Sequence, residues 1–179
     1  MLFPIKASAE DFSSRFREII SDPLNLLIDR VPMAGVVTNG EICLHNGIRV
    51  PHVGDGAYFG EFSQILVLNR GVHEPLEEFV FQELLKVLPA NVVILELGAY
   101  WAHYSMWLKQ QCPRSSAILV EAQDLHIQVG VDNFARNGFA GEFIQAFVGP
   151  GQFEVDAFCA SRPETHINVL HVDIDLHEM

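Results

Sequence analysis

The sequence predicts an α/β protein built on a parallel sheet and preceded by a small helix and an antiparallel β-meander. Three observations carry this prediction. In the second part of the chain, continuous apolar runs typical of strands buried on both faces alternate with helical segments. In the first part, two Asn-Gly dipeptides separate short β-rich runs. Hydrophobic residues make up 49% of the 179 residues, which is enough to bury a sizeable core.

Residues 1–70 are predicted to form the N-terminal helix and meander. Ser8 to Ile20 has the pattern of an amphipathic helix that stops before Pro23. Three short β-rich runs follow, at residues 36–38, 41–45 and 48–50. The dipeptides Asn39-Gly40 and Asn46-Gly47 separate these runs and favour tight hairpin turns, so we expect three antiparallel strands.

Residues 71–179 are predicted to form the α/β domain. From Pro75 to Pro89, apolar residues recur at helical spacing. Four apolar runs then predict strands, at residues 92–97, 116–120, 142–148 and 167–174. Helical segments near residues 102–111 and 124–136 separate the first three strands. This alternation predicts βαβ units with right-handed crossovers.

Composition excludes several classes of partner and location. The chain has 11 Lys and Arg against 23 Asp and Glu, a formal net charge of −12, so we expect neither nucleic acid nor an anionic membrane surface as a partner. Three widely spaced cysteines form no metal-binding pattern and suit a reducing compartment. No apolar stretch reaches the roughly 18 residues of a membrane span, and the N-terminus lacks a secretory pattern. We therefore expect a cytoplasmic protein.

The turn after the first buried strand is a candidate ligand site. Gly98 stands where the strand leads into a helix, and a glycine there lets a ligand approach the backbone. Glu121 follows about twenty residues later, where an acid binds ribose hydroxyls in Rossmann-type units. A tight turn without ligand, and a solvated turn or capping role for Glu121, remain open. Neither G-x-G-x-x-G nor G-x-x-x-x-G-K-[ST] occurs, which argues against NAD and ATP.

The last predicted strand carries ionisable residues on one face. They fall at every second position and are His171, Asp173, Asp175 and His177. Three interpretations remain open. The face is a strand end that emerges into solvent, it supplies a general base from Asp173 or His171, or it forms a metal site of imidazole and carboxylate ligands. We assign no metal ligand.

Six short motifs lie in order between about residue 74 and residue 179: ELGAYWAHYS, VEA, NFARNG, QAFVG, VDAF and HVDIDLHE. They resemble those of FkbM-type S-adenosylmethionine-dependent methyltransferases. ELGAYWAHYS resembles the D/E-x-G-A-N-x-G-x-Y-S signature, VEA resembles i-E-P, and NFARNG resembles N-x-x-x-N-G. QAFVG is similar to A-v-G, VDAF to l-D-d-f, and HVDIDLHE to K/H-x-D-I/V-x-G-x-E. The resemblance implies a Rossmann-like class I methyltransferase sheet over residues 71–179.

The resemblance also implies a site for S-adenosylmethionine. Glu96 and Gly98 frame its methionine end, with Tyr100 beside them, and Glu121 holds its ribose. The adenine would lie near Ala122, Gln145 and Ala146. The sequence departs from the family pattern where Tyr100 replaces Asn, Ala102 replaces the second glycine and Leu176 replaces the last glycine.

The implied activity is O-methylation of a hydroxyl on a sugar or secondary metabolite, with Asp173 as first candidate for a role near the methyl group and His171 as second. The family sheet has seven strands, whereas this chain ends at Met179, soon after its fourth predicted strand. The rival expectations are a fragment of a longer enzyme, or a non-catalytic ligand-binding or assembly module. An open sheet edge would then pair with another chain and give a homo-oligomer.

Overall fold

The computed structural model describes residues 9–174, apart from the side chains of residues 9–12 and 61. The chain divides into two compact units between Leu84 and Leu85. The sequence pattern placed the division between residues 70 and 71. The two divisions differ because the helix Pro75–Leu85, apart from its last residue, belongs to the first unit.

The first unit holds a helix, a three-stranded meander and two further helices. Its elements are α1 (Ala9–Ser21), a 3-10 turn (Pro23–Leu26), β1 (Val37–Thr38), β2 (Glu41–Cys43), β3 (Arg49–Pro51), a 3-10 turn (Gly60–Ser63), α2 (Gln64–Leu68) and α3 (Pro75–Leu85). The strands pair antiparallel in the order β1-β2-β3. Between β1 and β2, Asn39 and Gly40 adopt φ of 55° and 81°, the left-handed backbone that a two-residue hairpin turn needs. The predicted meander is confirmed.

The second unit is an α/β unit with a parallel sheet. Its elements are β4 (Val93–Leu97), α4 (His103–Gln111), β5 (Ser116–Glu121), α5 (Asp124–Arg136), β6 (Glu142–Gln145), α6 (Val155–Ser161) and β7 (Val169–Val172). The strand order is β6-β5-β4-β7, and all three pairings are parallel. The predicted fold class is confirmed.

This strand order fixes where a ligand crevice can form. The chain runs outward from β4 through β5 to β6 and then returns to place β7 on the other side of β4. In open α/β sheets, such a reversal creates a crevice at the carboxyl ends of the two strands that flank it. In this unit the reversal falls between β4 and β7.

Burial separates the central strands from the edge strand β7. In β4 and β5, the side chains of Ile94, Leu95 and Leu119 are completely buried, which explains their continuous apolar pattern. In β7, Leu170 is 53% exposed and Val172 is 40% exposed. Within residues 9–174, no helix combines the length and the apolar character needed to cross a membrane.

Candidate functional site

The predicted site residues lie along one edge of the parallel sheet. Each strand contributes at or just beyond its carboxyl end: Gln145 and Ala146 at β6, Glu121 and Ala122 at β5, Glu96 and Gly98 at β4, and His171 and Asp173 at β7. Neighbouring strands lie about 4.8 Å apart, so the row extends roughly 14 Å from β6 to β7. Parallel strands end at a common edge, and for this reason residues distant in sequence share one surface.

The turn after β4 has a strained backbone. Gly98 has a φ of +79°, and a Cβ on this residue would overlap the carbonyl oxygen of Asp173. Tyr100 and Ala102 also have positive φ values, 37° and 63°. Ala102 stands where the family pattern has its second glycine, and it keeps a left-handed conformation that costs an L-residue about 1 kcal/mol or more. The close packing of two backbone segments therefore requires Gly98, independently of any ligand.

Glu121 holds this turn in place. Its Oε2 accepts a hydrogen bond from the Tyr100 backbone N–H (3.1 Å), and its Oε1 accepts one from the Gln123 backbone N–H (2.8 Å). The residue is buried at the end of β5. A carboxylate oxygen can accept more than one hydrogen bond, so both oxygens keep capacity for further donors.

His126 is a site residue that the sequence analysis missed. Its ring lies 4.3 Å from the Tyr100 ring, centroid to centroid, and its Nδ1 lies 3.9 Å from Glu121 Oε1. Its position could have identified it, because it lies in the first turn of α5, directly after the strand that carries Glu121. Its imidazole therefore borders the candidate ribose site.

The outer part of the edge is formed by the end of β6. Gln145 is paired in register with Glu121 and is exposed. The Ala146 backbone N–H donates to the Glu121 carbonyl oxygen (3.0 Å). Ala122 and Ala146 are half-buried.

Glu96 and His171 come together at the switch between β4 and β7. They are paired in register, and Glu96 Oε1 lies 3.7 Å from His171 Nδ1. Glu96 Oε2 accepts a hydrogen bond from the Ser105 backbone N–H (3.1 Å). Burial raises the pKa of Glu96, His171 opposes this rise, and Asp173 adds to it. Both residues were predicted from the sequence, but their contact was not.

Asp173 follows β7 and is exposed. Its backbone N–H donates to the Leu97 carbonyl oxygen (2.9 Å), which continues the β4–β7 pairing beyond the strand end. Asp175 and His177 lie outside the described residues. The proposed catalytic and metal roles of this face therefore depend on His171 and Asp173 among the described residues.

A surface depression of about 560 Å³ lies at the opposite, amino edge of the sheet. Its lining includes Val93, Lys109, Ser116, Glu142 and Arg162. None of the predicted site residues lines it. The candidate site is instead the shallow row of side chains at the carboxyl edge.

Comparisons with known proteins assign no family. No protein-family model and no curated protein sequence matches the chain. The YcgJ protein from Bacillus subtilis has 20% identity and a TM-score of 0.32 over 36% of this chain, and the chain covers only 28% of that protein. A Plasmodium falciparum protein assigned as a protein-L-isoaspartate O-methyltransferase, in complex with S-adenosyl-L-homocysteine, has 12% identity and a TM-score of 0.44 over 90% of this chain and 72% of its own. The chain's own strand order carries the fold assignment.

Proposed function

We propose that this protein binds S-adenosylmethionine at the carboxyl ends of β4 and β5 and transfers the methyl group to a hydroxyl of a small acceptor. One observation carries the proposal: Glu121 ends β5 directly beside the turn that follows β4, in a parallel sheet of order β6-β5-β4-β7. In sheets of this order, an acid at the end of the second strand accepts hydrogen bonds from ribose hydroxyls.

The chemistry of the edge fits this cofactor. The Glu121 carboxylate is held by two backbone N–H groups and keeps acceptor capacity for ribose hydroxyls. S-adenosylmethionine carries a sulfonium cation and no phosphate, so acidic groups such as Glu121 and Asp173 attract it rather than repel it. The absence of phosphate-binding glycine patterns agrees with this choice and argues against NAD or ATP.

The motif resemblance supports the rest of the placement. It places Glu96 and Gly98 at the methionine end with Tyr100 beside them, and the adenine near Ala122, Gln145 and Ala146. The FkbM-type pattern also supports a hydroxyl of a sugar or secondary metabolite as the methyl acceptor.

The reaction needs alignment of the acceptor and removal of its proton. When bound, the cofactor supplies an electrophilic methyl group. The chain's residues hold the acceptor oxygen in line with that group, which is worth several kcal/mol of the barrier. Asp173 and His171, at the end of β7, are the candidates that accept the hydroxyl proton.

Calorimetric titration with S-adenosylhomocysteine tests the binding half of the proposal. We expect the unaltered protein to bind, and Glu121→Gln to bind about 10- to 100-fold more weakly, because charge-assisted hydrogen bonds to the ribose are lost. Glu142→Gln is the matched control, since Glu142 begins β6 at the other edge and is exposed. Equal affinity in Glu121→Gln, or no binding by the folded protein, would overturn the proposal.

A non-catalytic ligand-binding module is the second candidate. Asp173 is exposed and β7 leaves Leu170 at the surface, so this side of the edge is open to water. Water weakens the electrostatic stabilisation on which catalysis depends. A radiolabelled methyl-transfer assay over hydroxylated metabolites separates the candidates, since binding without transfer supports the module. Light scattering of the same sample tests association through a sheet edge.

A further inference from the structure

We propose that Glu96 and His171 form a dyad in which the Glu96 carboxyl group positions His171 as the general base for the acceptor hydroxyl. This inference rests on the proposed function, methyl transfer at the same edge. It gives Glu96 a role as a positioning residue and ranks His171 above Asp173 as the base.

The strand register places the two side chains together. Glu96 of β4 and His171 of β7 are direct partners in a parallel pair, so both side chains leave the same face of the sheet. Glu96 Oε1 and His171 Nδ1 are 3.7 Å apart. Hydrogen bonds between catalytic groups are often long before substrate binds and shorten in the reacting complex.

Glu96 has the features of a fixed orienting group. The residue is buried, and its Oε2 is held by the Ser105 N–H in the first turn of α4, where the helix dipole favours negative charge. The remaining oxygen, Oε1, is the one nearest His171. Burial raises the pKa of Glu96, and the interaction with His171 opposes that rise, so the two groups are electrostatically coupled.

His171 is better placed than Asp173 to act as the base. Its ring packs against the buried Tyr104 ring, with 4.3 Å between centroids and 40° between planes. Its side chain is 17% exposed, so it combines a fixed orientation with access to the surface. Asp173 is exposed, so water screens its charge. Asp173, at the end of β7, is a further charged group that acts on Glu96.

The proposed methyl transfer conserves atoms, electrons and charge. The acceptor oxygen forms a bond to the methyl carbon, the carbon–sulfur bond breaks, and its electron pair stays on sulfur. The hydroxyl proton moves to His171 Nε2, while Nδ1–H is oriented toward Glu96. The positive charge of the sulfonium is thereby replaced by the positive charge of the imidazolium. A carboxylate that faces Nδ1 selects the reactive tautomer and stabilises this imidazolium.

The test compares Glu96→Gln with the unaltered protein in three measurements. We expect a kcat, measured at saturating cofactor, that is lower by about 10- to 100-fold, and a pH–rate profile whose acidic limb moves to lower pH. The His171 imidazole resonances, followed by NMR without cofactor, should titrate at lower pH in Glu96→Gln because the imidazolium loses its partner. An unchanged His171 titration would overturn the dyad, whatever the activity.

His171→Gln provides the reciprocal measurement and a safeguard against misfolding of Glu96→Gln. The pKa of Glu96, followed through its carboxyl carbon, should rise in His171→Gln because His171 opposes the rise that burial causes. The double variant should lose no more kcat than His171→Gln alone, since the two residues act as one unit. An unmoved Glu96 titration or additive losses would contradict the dyad. Failure of the proposed function is a different result: the unaltered protein would not bind S-adenosylhomocysteine, while both titrations remain measurable.

Discussion

The carbonyl oxygen of Asp173 fills the space in which a Cβ on residue 98 would lie. The adjacent backbones are also hydrogen-bonded, because the Asp173 N–H donates to the Leu97 carbonyl oxygen (2.9 Å). Gly98 combines this close approach with a φ of +79°. The end of β7 and the turn after β4 can pack in this way only with glycine at position 98.

Gly98→Ala should therefore destabilise the fold strongly. We expect a loss of about 3 kcal/mol or more in the free energy of unfolding, because the added methyl meets backbone that cannot rotate away. Gly138→Ala is the matched control, since Gly138 has a φ of +72° and open space where its Cβ would lie. That variant should lose only about 1 kcal/mol, the conformational cost alone. Urea denaturation measures both, and equal losses would contradict the overlap.

Gln82 joins two distant parts of the first unit, and its removal should destabilise that unit. Its Oε1 accepts from the Asp29 N–H (2.7 Å) and its Nε2 donates to the Leu27 carbonyl oxygen (3.0 Å). We expect Gln82→Ala to lower the free energy of unfolding by about 1–2 kcal/mol, because two partly buried hydrogen bonds to the backbone are lost. Gln128→Ala is the control, since the Gln128 side-chain amide donates a hydrogen bond to Asp132 at the exposed surface. Losses of similar size in the two variants would refute this role.

A buried cluster of one carboxylate and two imidazoles lies in the first unit. Glu78 Oε1 is 2.8 Å from His73 Nδ1 and 3.6 Å from His45 Nε2, and all three side chains are buried. Glu74 Oε2 lies 3.4 Å from His73 Nε2. Burial lowers the pKa of His45. For His73, burial acts in the same direction, but Glu78 and Glu74 outweigh it and raise the pKa.

These shifts predict a stability maximum near neutral pH. The lowered pKa of His45 gives stability that is lost as pH falls below about 6.5, the ordinary pKa of histidine. The raised pKa of His73 gives stability that is lost as pH rises above about 6.5. The pKa of Glu78 is lowered because its two histidine neighbours outweigh burial, so its contribution is lost below about pH 4.3.

Urea unfolding at pH 4, 6.5 and 8.5 checks this prediction against Glu78→Gln. We expect the variant to be less stable by about 3–5 kcal/mol at pH 6.5, because a buried imidazolium loses its counter-charge. The difference from the unaltered protein should shrink at pH 8.5, because His73 loses its proton and no longer needs the counter-charge. It should stay large at pH 4, because the lowered pKa of Glu78 keeps its carboxylate charged in the folded protein. A difference that stays constant across this range would rule out the proposed titrations.

The sequence predicted the sheet but not its closest contacts. The apolar runs around Val93–Leu97 and Ser116–Glu121 indicated buried parallel strands. A strand that is buried on both faces needs apolar side chains at consecutive positions. The common carboxyl edge then followed from parallel strands. The third strand ends at Gln145 instead of Val148 because the chain turns there and Phe147 becomes exposed. Periodicity alone does not mark that turn.

The contacts that define the site depend on strand order and register. Glu96 and His171 are 75 residues apart, and their pairing requires β7 to lie beside β4 at one particular register. The same order brings the Asp173 carbonyl against Gly98. The buried Glu78 cluster was missed for a similar reason, because its two histidines come from loops without a recognisable pattern. Local sequence gives the element types, while these long-range contacts are set by how the elements pack.

A crystal structure of the chain with S-adenosyl-L-homocysteine tests the central claim most directly. The account predicts the ligand along the carboxyl edge, with its ribose hydroxyls within hydrogen-bonding distance of the Glu121 carboxylate and its homocysteine end beside Gly98. Ligand bound elsewhere, such as in the depression near Lys109 and Arg162 at the amino edge, would contradict the account, as would crystals without ligand at saturating concentration.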